Sequence, residues 1–458
     1  MPDQPDVLIL GGGSGGYACA FRAAQLGKTV TLIEEDKVGG TCLHRGCIPT
    51  KALVHAAEVA DTVTHASALG IGATLDGIDL GGVHAYKNAT VARLYKGLQG
   101  LVRSHKIELV HGTGRYGGGR TVHVGDRAIT GTSLVLATGS QVRSLPGLEI
   151  GGRILTSDEA LTFPELPKRV VVLGGGVIGV EFASIWASLG ADVTIVEALP
   201  RLVAAEDEWS SKQLARALRK RGITIMTGTR FAKAVQDEST VSVTVESGDT
   251  IEADLLLVAV GRGPRTADIG LTEHGVILDS RGFVTVDDSL RTAQPDVYAV
   301  GDIVAGPQLA HRGFQQGIYV AETIAGLSPT PIEDSGIPRV TYSNPEVASV
   351  GLTEDQARER HGDVATVVYD LAGNGKSQIL GTSGGVKLVR AGVTEGPVVG
   401  IHMVGERVGE LIGESQLIVN WGAHPDEVAT LVHAHPTQAE ALGEAHLALA
   451  GTPLHSHS

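Results

Sequence analysis

A chain of 458 residues exceeds what one hydrophobic core organises and implies about three domains. With 42% hydrophobic and 19% charged residues it has the composition of a folded globular protein, and a net charge of -14 excludes broad contact with nucleic-acid phosphates. No apolar run reaches the roughly 18 residues that span a bilayer, and neither a basic segment nor a small-residue cleavage site precedes Val7; no membrane insertion and a cytoplasmic location are expected.

In chain order, residues 7–10 read as a buried strand, Gly11, Gly13 and Gly16 as a GxGxxG turn, residues 17–26 as a helix and residues 29–33 as a second strand ending at Glu34. With 62 glycines in the chain, that glycine spacing alone arises about once by chance, so its weight comes from the flanking βαβ pattern. In such a unit the glycines allow a tight turn and close backbone approach. The helix N-terminus attracts a pyrophosphate, and the carboxylate hydrogen-bonds a ribose. The unit recurs 163 residues later, with Gly174, Gly176 and Gly179 in the turn, strands at 170–173 and 193–196, and Glu197 in place of Glu34. Leu189-Gly190 repeats Leu26-Gly27 in the same register. Two dinucleotide sites in one chain predict an electron relay, for which a tightly held flavin and an exchangeable nicotinamide are the usual pair.

Cys42 and Cys47 follow the first unit closely, and only one other cysteine, Cys19, exists in the chain. So few cysteines rule out a secreted disulfide framework and direct attention to redox chemistry; no metal site is expected. A continuous helix would separate Cys42 and Cys47 by about 7.5 Å of rise, beyond the roughly 4.4–6.8 Å that a disulfide accepts, so the backbone between them must bend. Gly46 permits the bend. Pro49 suits the first turn of a helix whose positive end, with Lys51, would stabilise a Cys47 thiolate.

The stretch from Gly39 to Lys51 (Gly-Gly-Thr-Cys-Leu-His-Arg-Gly-Cys-Ile-Pro-Thr-Lys) resembles the pyridine nucleotide-disulfide oxidoreductases. So do Ala137-Thr138-Gly139-Ser140, Val260-Gly261-Arg262-Gly263-Pro264, Val297 through Asp302, Leu309-Ala310-His311, Asn344 through Gly351, and His433 through Glu440. Within the family, the chain looks most like the branch that oxidises dihydrolipoamide. The resemblance implies an α/β fold with two Rossmann-like dinucleotide-binding domains, for FAD and NAD, and a C-terminal α+β dimerization domain. The implied layout is an FAD domain over 1–149, an NAD domain over 150–275, a central segment over 276–335 that completes the FAD site, and the dimerization domain over 336–458.

It also implies roles. Cys42 is the interchange thiol, Cys47 the thiolate beside the flavin, and His435, held by Glu440, the base for a substrate thiol, supplied across a homodimer. Gly11, Gly13, Gly16, Glu34, Thr41, Lys51, Gly114, Thr138, Gly139, Ser140, Asp302, Leu309, Ala310 and His311 are assigned to FAD. Gly174, Gly176, Gly179, Glu181, Glu197 and Gly261 are assigned to NAD. The implied partners are lipoyl domains of 2-oxo acid dehydrogenase or glycine cleavage complexes. Glu197 disfavours a phosphorylated ribose, although Arg201 lies nearby in sequence. His44 and Arg265 depart from the family pattern, each standing where asparagine is usual. An NADH-dependent reductase of another disulfide or of a quinone, and a non-enzymatic flavin-binding subunit, are the alternative readings. The histidines of the C-terminal tail, His455 and His457, are expected to be solvated rather than metal-bound.

Overall fold

A computed structural model describes residues 4–455. They fall into two compact units, one of residues up to 53, 81–143 and 262–334, the other of residues 54–80, 144–261 and 335 onward.

The first unit is built on a parallel sheet with strand order Val297–Ala299, Ser133–Leu136, Val7–Leu10, Val30–Glu34, Glu108–His111. Its central strands are buried on both faces, which is why they read as unbroken apolar runs instead of alternating ones. Helix Ser14–Gln25 starts three residues earlier than its sequence predicts, because Gly15 and Gly16, poor helix formers, lie inside its first turn. Packing requires them there. A Cβ on Gly16 would lie 1.8 Å from the Gly11 carbonyl oxygen, and one on Gly317 of helix Ala310–Ile324 would lie 2.2 Å from that of Gly15. Cys19 is fully buried in this helix contact, and burial pushes its thiol up to about 12, removing it from redox chemistry. An antiparallel meander, Gly114–Tyr116, Thr121–Val124 and Arg127–Thr130, stands between the strands Glu108–His111 and Ser133–Leu136.

In the second unit the parallel strand order is Thr224–Thr227, Asp192–Glu197, Arg169–Leu173, Leu255–Val258, Ile154–Leu155. Helix Val177–Ser188 matches Ser14–Gln25 residue for residue at the offset read from the sequence. The duplication extends further than the glycine turns. Here too a meander, Phe231–Gln236, Val241–Val245 and Thr250–Ala253, lies in chain order between two parallel strands, Thr224–Thr227 and Leu255–Val258.

Residues from 335 onward form an antiparallel sheet ordered Arg339–Thr341, Glu346–Gly351, Val398–Gly405, Gly385–Ala391, Val364–Asp370, with helices Val408–Asn420 and Glu440–Leu449 on its core. His455 is tied down, its amide and ring both bonded to Glu444, while the tail at 456–458 lies outside the described residues. Among the described residues no helix is long and apolar enough to cross a membrane, and no metal-holding cluster of His, Cys, Asp or Glu occurs.

Candidate active site

Gly11 adopts φ +104°, and a Cβ there would lie 2.2 Å from the Ala137 carbonyl oxygen; Gly174 adopts φ +110° against Ala259 at 2.4 Å. Only glycine suits either position. In each turn the carboxylate at the end of the second strand holds the middle glycine. Glu34 accepts the Gly12 amide at 2.6 Å and the Asp36 amide at 2.9 Å, while Glu197 accepts the Gly175 and Leu199 amides at 2.5 and 2.6 Å. Neither following helix has a side-chain cap or an acidic residue in its first turn, and the space a Cβ would enter at Gly13 and Gly176 is open. Uncapped amides facing open space fit a bound phosphate, so both turns are suited to a dinucleotide.

Arg201 does not face a ribose phosphate. Its guanidinium donates to the carbonyls of Ala204 and Glu206 and to the Ser211 hydroxyl, which fixes the loop ahead of helix Glu208–Lys220. Glu197 therefore stands without a competing cation from that side chain.

The two thiols lie where chain geometry required a bend. Cys42 is in helix Gly40–Arg45, Gly46 breaks the helix, and Cys47 opens helix Cys47–His65, with Pro49 in its first turn. The Cys42 thiol donates to Cys47 and is held well above the ordinary thiol range by that bond, then by burial and by the charge on Cys47; Lys51 and the Cys47 amide pull the other way. The pair is thus asymmetric: Cys42 holds its proton tightly, and Cys47 opens a helix whose positive end favours a thiolate. Tyr17 adjoins both sulfurs: burial, then the charges of Cys42 and Cys47, push its hydroxyl up to about 12. No motif or spacing in the sequence signals this tyrosine's place.

Ser140 and Asp302 meet, the hydroxyl donating to the carboxylate at 2.6 Å, and Arg262 joins them by donating to the Ser140 hydroxyl at 2.8 Å and carbonyl at 2.9 Å. Arg262 was not anticipated as a site residue; it lies 122 positions from Ser140 in sequence. Leu309 caps helix Ala310–Ile324, so Ala310 and His311 lie in its first turn. Gly114 is buried against Leu10 and Val122, where any Cβ would clash. Thr41 lies beside Cys42 in helix Gly40–Arg45. His44 bonds the Val38 carbonyl at 3.0 Å and meets the Tyr95 ring edge-on, so this departure from the family pattern is absorbed by local packing.

Within the second unit, Glu181 is buried in helix Val177–Ser188 and accepts the Tyr342 amide at 2.9 Å. His435 Nδ1 lies 2.8 Å from Glu440 Oε1, and Glu440 Oε2 accepts the Thr437 amide at 2.7 Å. A carboxylate only accepts, so Nδ1 carries the proton and Nε2 keeps its lone pair. Burial pushes the Glu440 carboxyl up, but the Thr437 amide and His435 outweigh it and hold it below the ordinary range. The His435 side chain is 79% exposed. The neighbouring His433 is 12% exposed and bonded to Glu414 at 2.8 Å, so only His435 presents its ring outward. The first unit thus gathers the thiols with the residues assigned to FAD, and the second gathers those assigned to NAD with the His435–Glu440 pair.

The family description pyridine nucleotide-disulphide oxidoreductase matches residues 5–317, and that of its dimerisation domain matches residues 337–446. A dihydrolipoyl dehydrogenase of Bacillus subtilis (strain 168) is 38% identical over 475 aligned positions, spanning 99% of this chain and 100% of the relative. The mitochondrial dihydrolipoyl dehydrogenase 1 of Arabidopsis thaliana is 36% identical, spanning 99% of this chain and 92% of the relative. Among solved structures, LpdA from Mycobacterium tuberculosis matches with a TM-score of 0.90 at 26% identity, covering 97% of this chain and 99% of the other. The HOCl-induced flavoprotein disulfide reductase RclA from Escherichia coli matches with a TM-score of 0.86 at 27% identity, covering 96% and 99%. Matched across nearly its whole length, the chain belongs to the pyridine nucleotide-disulphide oxidoreductases, flavoprotein enzymes that use FAD and NAD, and carries their dimerisation domain.

Proposed function

We propose that this chain is a dihydrolipoamide dehydrogenase that passes two electrons from protein-bound dihydrolipoamide to NAD through a Cys42–Cys47 disulfide and FAD. The observation that carries the reading is the asymmetric thiol pair: Cys42 protonated, Cys47 at a helix N-terminus, the two in hydrogen-bond contact across the Gly46 break. Full-length relatives named dihydrolipoyl dehydrogenase support this substrate class.

In the oxidised enzyme the pair is a disulfide. His435 of the partner subunit takes a proton from one substrate thiol, and the resulting thiolate attacks Cys42 Sγ, breaking the Cys42–Cys47 bond and releasing Cys47 as a thiolate. The second substrate thiol, giving up its proton, attacks the mixed disulfide. Cyclic lipoamide leaves, and the departing Cys42 thiolate takes up that second proton to become a thiol. A thiol with a pKa of about 8.5 is mostly protonated at neutral pH, so a positioned imidazole accelerates the first attack. FAD, bound at the first glycine turn, supplies the two-electron transfer from the dithiol to NAD at the second turn, which protein side chains alone do not provide.

The FAD-side assignments run from Gly11, Gly13, Gly16 and Glu34 through Thr41, Gly114, Thr138, Gly139 and Ser140 to Asp302 for the ribityl chain, with Leu309, Ala310 and His311 at the pyrimidine edge. Gly174, Gly176, Gly179, Glu197 and Gly261 serve NAD, and Lys51 and Glu181 shape the flavin's surroundings where hydride passes. The partners are lipoyl domains of 2-oxo acid dehydrogenase or glycine cleavage complexes, and the setting is the cytoplasm. RclA's description as a disulfide reductase favours a second reading, in which electrons run from NADH to another disulfide.

Anaerobic reduction with NADH followed by rapid mixing with lipoamide, glutathione disulfide or a quinone separates the two. Fastest reoxidation by lipoamide is expected. Cys42→Ser should abolish lipoamide turnover while flavin stays bound; full activity in that variant would end the disulfide mechanism.

A further inference from the structure

Arg265 departs from the family pattern, and its surroundings give the departure a use. Its guanidinium forks onto the Glu35 carboxylate, one of the two bonds measuring 2.9 Å, across 230 residues of sequence. Glu35 directly follows Glu34, the carboxylate that holds the first glycine turn. On the other side, the Arg265 backbone donates to the Gly139 carbonyl at 2.9 Å and accepts the Thr138 hydroxyl at 2.6 Å. Thr138 and Gly139 follow Ala137, whose carbonyl crowds Gly11. One residue therefore joins the two chain segments that flank the turn, Glu34-Glu35 and Ala137-Thr138-Gly139. A planar fork to a carboxylate fixes direction as well as charge. The side chains are 42% and 33% exposed, so the pair can open without disturbing the core and is within reach of screening by salt.

We propose that Arg265 and Glu35 form a latch that retains FAD at the first glycine turn; this rests on the reading of that turn as the FAD site. The latch holds the strand end that carries the ribose carboxylate against the segment that forms the opposite wall, and FAD leaves when the ion pair opens.

The test measures FAD release from the holoenzyme by the rise in flavin fluorescence after dilution, at low and high KCl. Arg265→Asn and Glu35→Gln should each release FAD about 5-fold faster at low salt. The double variant should match the singles, because both remove the same interaction. High salt should accelerate the native protein toward the variants and leave the variants unchanged. Asp36→Asn, which removes the adjacent carboxylate paired to Arg45, should release FAD at the native rate. Variants within twofold of the native rate, or a double variant whose effect is the product of the singles, would overturn the latch. So would an equal loss of melting temperature in the flavin-free and flavin-bound forms, which would mark a role in the fold alone. A native protein that binds no FAD at all would instead overturn the reading of the site, an outcome distinct from flavin bound normally with the variants inert.

Discussion

Exchanging Glu440 for glutamine asks whether the carboxylate, and not merely its shape, sets the protonation of His435. Glu440 uses one oxygen for His435 Nδ1 at 2.8 Å and the other for the Thr437 amide at 2.7 Å. An amide offers one oxygen and one NH2 group. If the oxygen keeps the Thr437 bond, the NH2 faces Nδ1, the imidazole moves its proton to Nε2, and the ring cannot act as a base there. Reversing the amide restores the productive tautomer but leaves the Thr437 donor facing another donor, at a cost of about 1–3 kcal/mol, or roughly 5- to 150-fold in population. Loss of the negative partner of the imidazolium adds about 1 kcal/mol. Glu440→Gln should therefore slow flavin reduction by dihydrolipoamide about 10²-fold. His435→Gln should slow it about 10²- to 10⁴-fold, and the double variant should be little worse than His435→Gln. Stopped-flow absorbance resolves this half-reaction from flavin reduction by NADH, which both variants should leave at the native rate. The reasoning is refuted if Glu440→Gln keeps more than half the native dithiol rate, or if the NADH half-reaction collapses while the dithiol one survives.

With Arg201 committed to its own loop, the protein should prefer NAD to NADP by more than about tenfold in kcat/KM, and Glu197→Ala should narrow that gap while Arg201→Ala should not; steady-state kinetics with both nucleotides decide. Gly179→Ala would place a methyl 1.9 Å from the Gly174 carbonyl oxygen, so NAD reduction should fall by orders of magnitude with the flavin spectrum intact, whereas Gly16→Ala should yield protein without flavin. Burial chiefly raises the Glu346 carboxyl to about 7, helped by Glu58, Glu410 and Glu406 and opposed by the Gly409 amide. A raised folded-state pKa means that the folded chain binds the extra proton between about 4.5 and 7, so this group's stabilising contribution is complete below that window and lost as pH rises through it. That amounts to roughly 3 kcal/mol. Glu346→Gln should thus raise the melting temperature at pH 8 relative to the native protein and change it little at pH 5, as read by thermal denaturation at the two values; an equal effect at both would contradict the assignment.

Features whose chemistry is local were legible in the sequence. Gly11, Gly16, Gly174 and Gly179 are needed for positive φ or for close approach of another backbone, and only one residue type meets either need. The Cys42–Cys47 spacing demanded a break, and Gly46 is that break. Contacts between distant segments were not legible. Tyr17 beside the thiols, Arg262 on Ser140 and Arg265 on Glu35 depend on strands and helices meeting across long stretches of sequence, and none has a period or a spacing that would disclose it. The helix start at Ser14 was missed because local propensity argues against glycine while tertiary packing demands it.

The two histidines of His433-Ala434-His435 show where sequence and geometry divide the work. Both have a carboxylate partner at 2.8 Å, so hydrogen bonding alone does not separate them. What differs is the face each ring presents. His433 is packed against Gly443, where an added Cβ would come within 2.6 Å of its Nδ1, and its Nε2 is spent on Glu414, so both ring nitrogens are enclosed by its own subunit. His435 spends Nδ1 on Glu440 and turns the opposite edge outward. A base that serves a substrate held elsewhere needs that open edge, and a tethered carboxylate behind it decides which nitrogen carries the proton. The motif narrows the choice to two rings, and of the two only His435 turns an unengaged ring edge outward.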